Sequence, residues 1–214
     1  RLTAMAGWLG SATGVCLVLG LPLAWILACR TFPGRSAVRA LVMLPMVLPP
    51  VVGGTALLFA LGRRGLVGQR LDDWFGITLP FTTAGAIVAA SFVALPFFVV
   101  TVEAAMAQLD DRYTETASSL GARPWTTFVR VTLPMVRPAI VAGAALSWAR
   151  ALGEFGATIT FAGDSPGRTR TLPIEIFVAL ETDPERAMAL SLVLVAVSLT
   201  VLIALRGRWL GTAR

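Results

Sequence analysis

Histidine and lysine are both absent from the 214-residue chain, and cysteine occurs only twice. Without histidine the sequence lacks the commonest zinc ligand and the commonest general base. The two cysteines, Cys16 and Cys29, fall in one apolar run. That placement argues against a disulfide framework, and no C-x-x-C pair offers metal chemistry. Charge is scarce too, at 14% of residues against about 25% in an average soluble domain. No G-x-x-x-x-G-K-[ST] phosphate loop is present, so ATP hydrolysis is not expected on this chain. No convergent set of acid, base or metal ligands is visible, and no catalytic or metal residue is assigned.

All 18 basic residues are arginines, and the net charge is +6. A charge of that sign can signal nucleic acid. Here the arginines are scattered between apolar runs and no nucleic-acid-binding module accompanies them. They are read as topology determinants and partner contacts, and no nucleic-acid partner is expected.

Apolar residues are what the chain has in abundance: 56% of the sequence, with a mean hydropathy of +0.78. This predicts an all-α polytopic membrane protein, with residues 1–214 as a single transmembrane domain. A span needs about 20 mostly apolar residues. Five stretches qualify: Gly7–Cys29, then 40–62, a stretch within 82–107, 138–163 and 187–205. The first is too long for a signal-peptide core of about 7–15 residues, and no A-x-A-like site follows it. The chain begins at Arg1 rather than Met, which leaves room for a sixth span upstream. The second stretch holds Pro45, Pro49 and Pro50 before Gly53-Gly54 and must be kinked or interrupted, because each proline removes a backbone donor. Residues 171–180 are apolar but too short to span. Five spans put the chain ends on opposite faces. With residues 110–134 inside, ten arginines lie inside and seven outside. That bias is too weak to fix the orientation by itself.

Residues 110–134 read DDRYTETASSLGARPWTTFVRVTLP, a pattern for two short helices with a break. Asp110 and Asp111 suit a helix N-terminus as caps and as complements to its dipole. Tyr113, Ala117 and Leu120 recur at i, i+4, i+7 and form one stripe. Gly121 is placed to end that helix in a left-handed conformation. Pro124 suits the first turn of a second helix, on which Trp125, Phe128, Val129 and Thr132 share a face. By amphipathicity alone this is a helical hairpin between spans.

The spacing says more. It resembles the EAA loop of bacterial ABC importer permeases: Glu, Ala, Ala, three residues, Gly, nine residues, Ile, one residue, Leu, Pro. Glu115, Ala117, Gly121, Leu133 and Pro134 match, while Thr116 stands for the first Ala and Val131 for Ile. The resemblance implies a type I ABC importer transmembrane domain. It also implies a coupling helix that docks on an ATP-binding subunit, with Glu115, Ala117, Leu120, Gly121, Ala122 and Trp125 at the contact. In such importers ATP and Mg sit on the partner ATPase, present in two copies. A second permease copy and an extracytoplasmic binding protein complete the assembly.

Two further segments resemble permeases for molybdate and sulfate: residues 44–54, LPMVLPPVVGG, and residues 149–163, ARALGEFGATITFAG. Gly62-Arg63-Arg64-Gly65, residues 73–77 and residues 169–173 continue the likeness, most closely to the molybdate members. The resemblance implies molybdate as cargo, with the near-isosteric tungstate accepted, an oxyanion-binding protein outside and a location in the bacterial inner membrane. Sulfate or thiosulfate is the alternative cargo. Pathway or gate candidates are Pro49, Pro50, Gly53, Ser147, Arg150, Gly153, Glu154, Gly156, Thr158 and Thr160. Arg150 and Glu154 are four apart and would share a helix face. They are either a structural ion pair or part of a bend near the pathway, since ionisable groups inside a membrane mark function by default. Glu154 would repel a dianion and is not a ligand. Ser147, Thr158 and Thr160 carry hydroxyl donors, though such groups often bond their own backbone. The proline-glycine stretch is either a packing kink or a broken helix lining a water-filled cavity.

Overall fold

A computed structural model describes residues 2–209. Arg1 and Arg214, both part of the charge tally, lie outside the described residues. The described chain is helical with no strand among its residues. The helices are α1 Leu2–Cys29, α2 Arg35–Val47, α3 Pro50–Leu61, α4 Gly68–Phe75, α5 Thr83–Ala107 and α6 Asp111–Ser119. They continue as α7 Pro124–Thr127, a π-turn over Phe128–Thr132, α8 Leu133–Met135, α9 Arg137–Leu152, α10 Gly156–Ala162, α11 Leu172–Thr182 and α12 Pro184–Trp209.

The centre of the bundle is α5, packed against α1 on one side and α9 on the other. Alanines at 86, 89, 90 and 94 are buried along it. Small residues let helix backbones approach closely where lipid offers no hydrophobic drive. Polar contacts tie the same three helices: Ser91 Oγ donates to Ala12 O (3.3 Å) and Ser147 Oγ to Ala94 O (3.1 Å). Phe98, Val99 and Val102 complete the core with Leu27 and Cys16 of α1. By contrast α12 buries little of its surface, as suits a helix that faces lipid.

Three helices are long and apolar enough to cross a membrane unbroken: α1, α5 and α12. Neither of the other two expected spans is a single helix, and with the bent pair of 124–135 and α9 counted as one span, up to four crossings are met by length and composition. The second divides into α2 and α3, with Leu48 and Pro49 extended between them. Pro50 then opens α3 at its first position, where a missing N–H costs nothing. The fourth divides into α9 and α10 at residues 153–155, and the segment 124–135 meets α9 at 71°. The short apolar stretch near 171 is α11, whose Thr171 hydroxyl caps the helix at Ile174 N. Arg170 pairs with Asp164 and Glu175, and Arg186 also pairs with Glu175. These contacts staple the 163–171 loop to α11 and to the start of α12.

Candidate functional site

The 110–134 segment has the architecture that its sequence dictates. Asp110 is extended and its carboxylate accepts from Arg112 N (3.0 Å), capping α6. The same carboxylate takes Arg112 Nε and Nη2, which holds the Asp110 pKa below its ordinary value of 3.8. At the other end Gly121 sits at φ 79°. Gly121 N donates to Ser118 O and Ala122 N to Ala117 O. This is the paired 5→2 and 6→1 closure of a Schellman cap. Arg123 is extended and Pro124 starts α7 at its first position.

This capped helix buries none of its residues. Leu120 is 83% exposed and Trp125 66% exposed, with Tyr113 and Glu115 also on the surface. Ala117 and Ala122 are half-buried beneath them. The hydroxyls of Thr114, Ser118 and Ser119 turn back onto carbonyls of their own helix. What remains on the outside is a short rigid cylinder with a leucine and a tryptophan at its end. Large apolar side chains left exposed together mark a surface that another molecule covers.

The segment is fastened through Phe128. That buried ring stacks at 5.0 Å on Trp25 near the end of α1 and at 5.6 Å on Trp125. Arg30 sits over the Trp25 ring at 5.6 Å. A cleft of about 490 Å³ lies behind the helix, lined by Cys29, Arg30, Met106, Asp111, Ser118 and Thr127 among others. The exposed helix is thus held at its two ends, by α5 through residues 108–110 and by the α7–α9 run.

The second candidate region joins segments about a hundred residues apart. Gly156, the first residue of α10, lies so close to α3 that an added Cβ would be 2.8 Å from Pro50 Cβ. A Cβ on Gly54 would sit 2.8 Å from Ala157 O and from Thr160 Cβ. The two helix breaks therefore face each other through glycine. Gly53 turns instead toward the Phe92 ring. Pro49 and Pro50 are on the surface, and Gly153 is exposed with open space around it.

Arg150 and Glu154 do pair, at 2.7 Å, but not along one helix. Helix α9 ends at Leu152, and Glu154 stands in the break with 2% of its side chain exposed. Its other oxygen accepts from Ala157 N at 2.8 Å. One carboxylate thus neutralises the end of α9 and caps the start of α10. Of the three hydroxyls, Ser147 is spent on Ala94 O and Thr160 on Gly156 O. Thr158 Oγ1 is buried without a partner. Sequence reasoning does not single out Glu103, which is buried in α5 and paired with Arg39 of α2. The available signal was a lone acid inside an otherwise apolar run of 25 residues.

A helical membrane domain with a capped, outward-facing helix between two of its spans is the architecture of a transporter permease. Residues 20–212 match the family described as binding-protein-dependent transport system inner membrane component, and the chain belongs to that family. The molybdenum transport system permease protein ModB of Mycobacterium tuberculosis is 48% identical over 198 residues, covering 92% of this chain and 75% of that protein. The sulfate transport system permease protein CysT of Escherichia coli K12 is 42% identical over 189 residues, covering 88% and 68%. The inward-facing structure of the MetNI methionine ABC transporter is similar in fold, with a TM-score of 0.72 at 19% identity over 97% of this chain and 92% of that one.

Proposed function

We propose that this chain is the transmembrane permease subunit of an ATP-driven molybdate importer of the bacterial inner membrane. The observation that carries the reading is the exposed Schellman-capped helix α6, with Glu115, Gly121 and Leu133-Pro134 at the EAA spacing, placed between two core helices. It is shaped to dock on an ATP-binding subunit, which supplies ATP and Mg. Two permease copies, two ATPase subunits and an external oxyanion-binding protein make up the working assembly.

The mechanism follows from the attachments. Closure of the ATPase pair displaces α6 as a rigid body, because its caps leave it no slack. The displacement passes to α5 and α9, the helices at its two ends. Helix α9 carries α10 through the Gly153–Phe155 break, and α10 bears on α3 through Gly156 and Gly54. Separating or closing that contact is how the pathway opens and shuts. High affinity is left to the binding protein, since conduction needs sites weak enough to release their ion.

Molybdate is favoured as cargo because the permease for molybdenum is the more similar relative, and because the segments at 44–54 and 149–163 resemble the molybdate members. Tungstate, nearly isosteric, is accepted too. Sulfate is the second reading, supported by the likeness to CysT. The test is uptake into proteoliposomes containing the full complex, with labelled molybdate competed by tungstate and by sulfate. Molybdate and tungstate should compete comparably and sulfate poorly. Stronger competition by sulfate would overturn the cargo assignment, and uptake without ATP would overturn the importer itself.

A further inference from the structure

Glu103 sits in α5 four residues before its end at Ala107, one turn from the stem of the coupling segment. Its side chain is 8% exposed. An isolated carboxylate is costly in such a place unless a cation meets it. The cation is Arg39, in the second turn of α2. No other basic residue pairs with Glu103 among the described residues.

Helix α2 needs such a tie. It packs on α5, and only Val38 and Val42 of its apolar residues reach the main core. Leu41, Leu44 and Val47 are exposed on its other side. Yet α2 is the base of the arm that continues through Leu48 and Pro49 into α3, the helix that meets α10. Arg39 Nε is buried with no acceptor, so the guanidinium keeps a spare donor where the two helices meet. A fork of five donors can retain a carboxylate while the helices slide past each other.

We propose that the Arg39–Glu103 pair is a positioning latch: it makes the α2–α3 arm move with α5 when the coupling helix is displaced. The proposal rests on the importer reading above and adds a second route to the gate. One route runs from α6 through α9 to α10. The other runs from α6 through α5 and the ion pair to α2 and α3. The two routes meet where α3 packs on α10, with Gly54 against Ala157 and Gly156 against Pro50. With both intact, the faces of that contact are driven together. With the latch cut, α10 moves while α3 lags, and ATP is hydrolysed without a matching passage of oxyanion.

The measurement is oxyanion taken up per ATP hydrolysed, in proteoliposomes with the complete complex and its binding protein. Glu103→Gln and Arg39→Gln should each lower that ratio to a small fraction of the wild-type value. Their ATPase rate, still stimulated by the loaded binding protein, should persist. The charge-swapped pair Arg39→Glu with Glu103→Arg should recover part of the ratio. A merely structural role would lower uptake and ATPase together and leave the ratio unchanged, which would overturn the proposal. Should the single variants fail to assemble, the apolar pair Arg39→Met with Glu103→Met removes both charges and keeps the packing. It should assemble and be uncoupled, and a wild-type ratio in it would also overturn the latch. Absence of ATP-dependent uptake in the wild-type complex is a different result, which sinks the importer reading and leaves the latch nothing to transmit.

Discussion

Replacing Glu154 separates two jobs that the structure gives to one carboxylate. Glu154→Ala removes the ion pair with Arg150 and the acceptor for Ala157 N. Stripping one partner from a buried pair costs about 3–5 kcal/mol. The Arg150 side chain is 27% exposed, so water can take up the orphaned guanidinium and the lower figure, about 3 kcal/mol, applies. Losing an N-cap adds about 1 kcal/mol. Glu154→Gln keeps a carbonyl oxygen for the cap and loses only the charge, at about 2–3 kcal/mol. Adding Arg150→Met to Glu154→Gln then removes the orphan charge and should bring the cost within about 1 kcal/mol of wild type. For a domain of this size 1 kcal/mol moves a melting midpoint by about 2–4 °C. The detergent-solubilised complex should therefore melt about 8–16 °C lower with alanine and about 4–12 °C lower with glutamine. The double variant should melt within about 4 °C of wild type. If alanine and glutamine melt alike, Glu154 does not cap α10. If the double variant melts below the glutamine single, the Arg150 charge is not what glutamine leaves stranded.

Two further predictions follow from exposure and from close approach. Helix α6 buries no residue and Leu120 at its end is exposed, so Leu120→Asp should leave the melt of the isolated permease unchanged while the ATP-binding subunit no longer co-purifies; anchors of this kind carry about 2 kcal/mol or more of an interface. Gly54→Val places a Cβ 2.8 Å from Ala157 O and should destabilise by about 1–3 kcal/mol. Gly14→Ala, with nothing within 4 Å of the new methyl, should be neutral or stabilising by about 0.5–1 kcal/mol in the same melt.

What the sequence discloses about this molecule depends on how far apart the cooperating residues lie. The caps of α6 are local: Asp110, Gly121 and Pro124 act within a turn of themselves, and each is where its side chain or missing N–H places it. The breaks were legible too, because Pro49-Pro50 and Gly153 through Gly156 advertise backbone that cannot continue a helix. That one break packs on the other was not legible, since nothing in either segment names a partner a hundred residues away. Arg150 and Glu154 show a subtler limit. Spacing of four implies a shared helix face, and the pair forms, yet the helix stops at Leu152 and the contact bridges a gap instead. Hydropathy alone counts apolar residues and is blind to where their backbone turns; the prolines and glycines carry that information. Glu103 carried a signal, an acid alone in an apolar run, but Arg39 was one arginine among eighteen, with nothing in its segment to name that acid as its partner.

Thr158 offers the sharpest test of whether α10 changes partners during transport. Its hydroxyl is fully buried and has no acceptor, and a buried unsatisfied group costs about 1–3 kcal/mol. Valine has nearly the same shape without that group. If the hydroxyl were idle packing, Thr158→Val would stabilise the protein and leave transport untouched. If the hydroxyl is held unpaired so that it can donate when α10 moves, the same variant should gain stability and lose uptake. Gained stability with lost activity is the mark of a residue whose strain belongs to function. We expect the second result: a melt higher by about 2–12 °C together with a lower uptake rate at unchanged binding-protein affinity. Ser147→Ala is the control. Its hydroxyl already bonds Ala94 O between α9 and α5, so that variant should lose stability and uptake in step. Unaltered uptake in a stabilised Thr158→Val complex would remove this side chain from the transport mechanism.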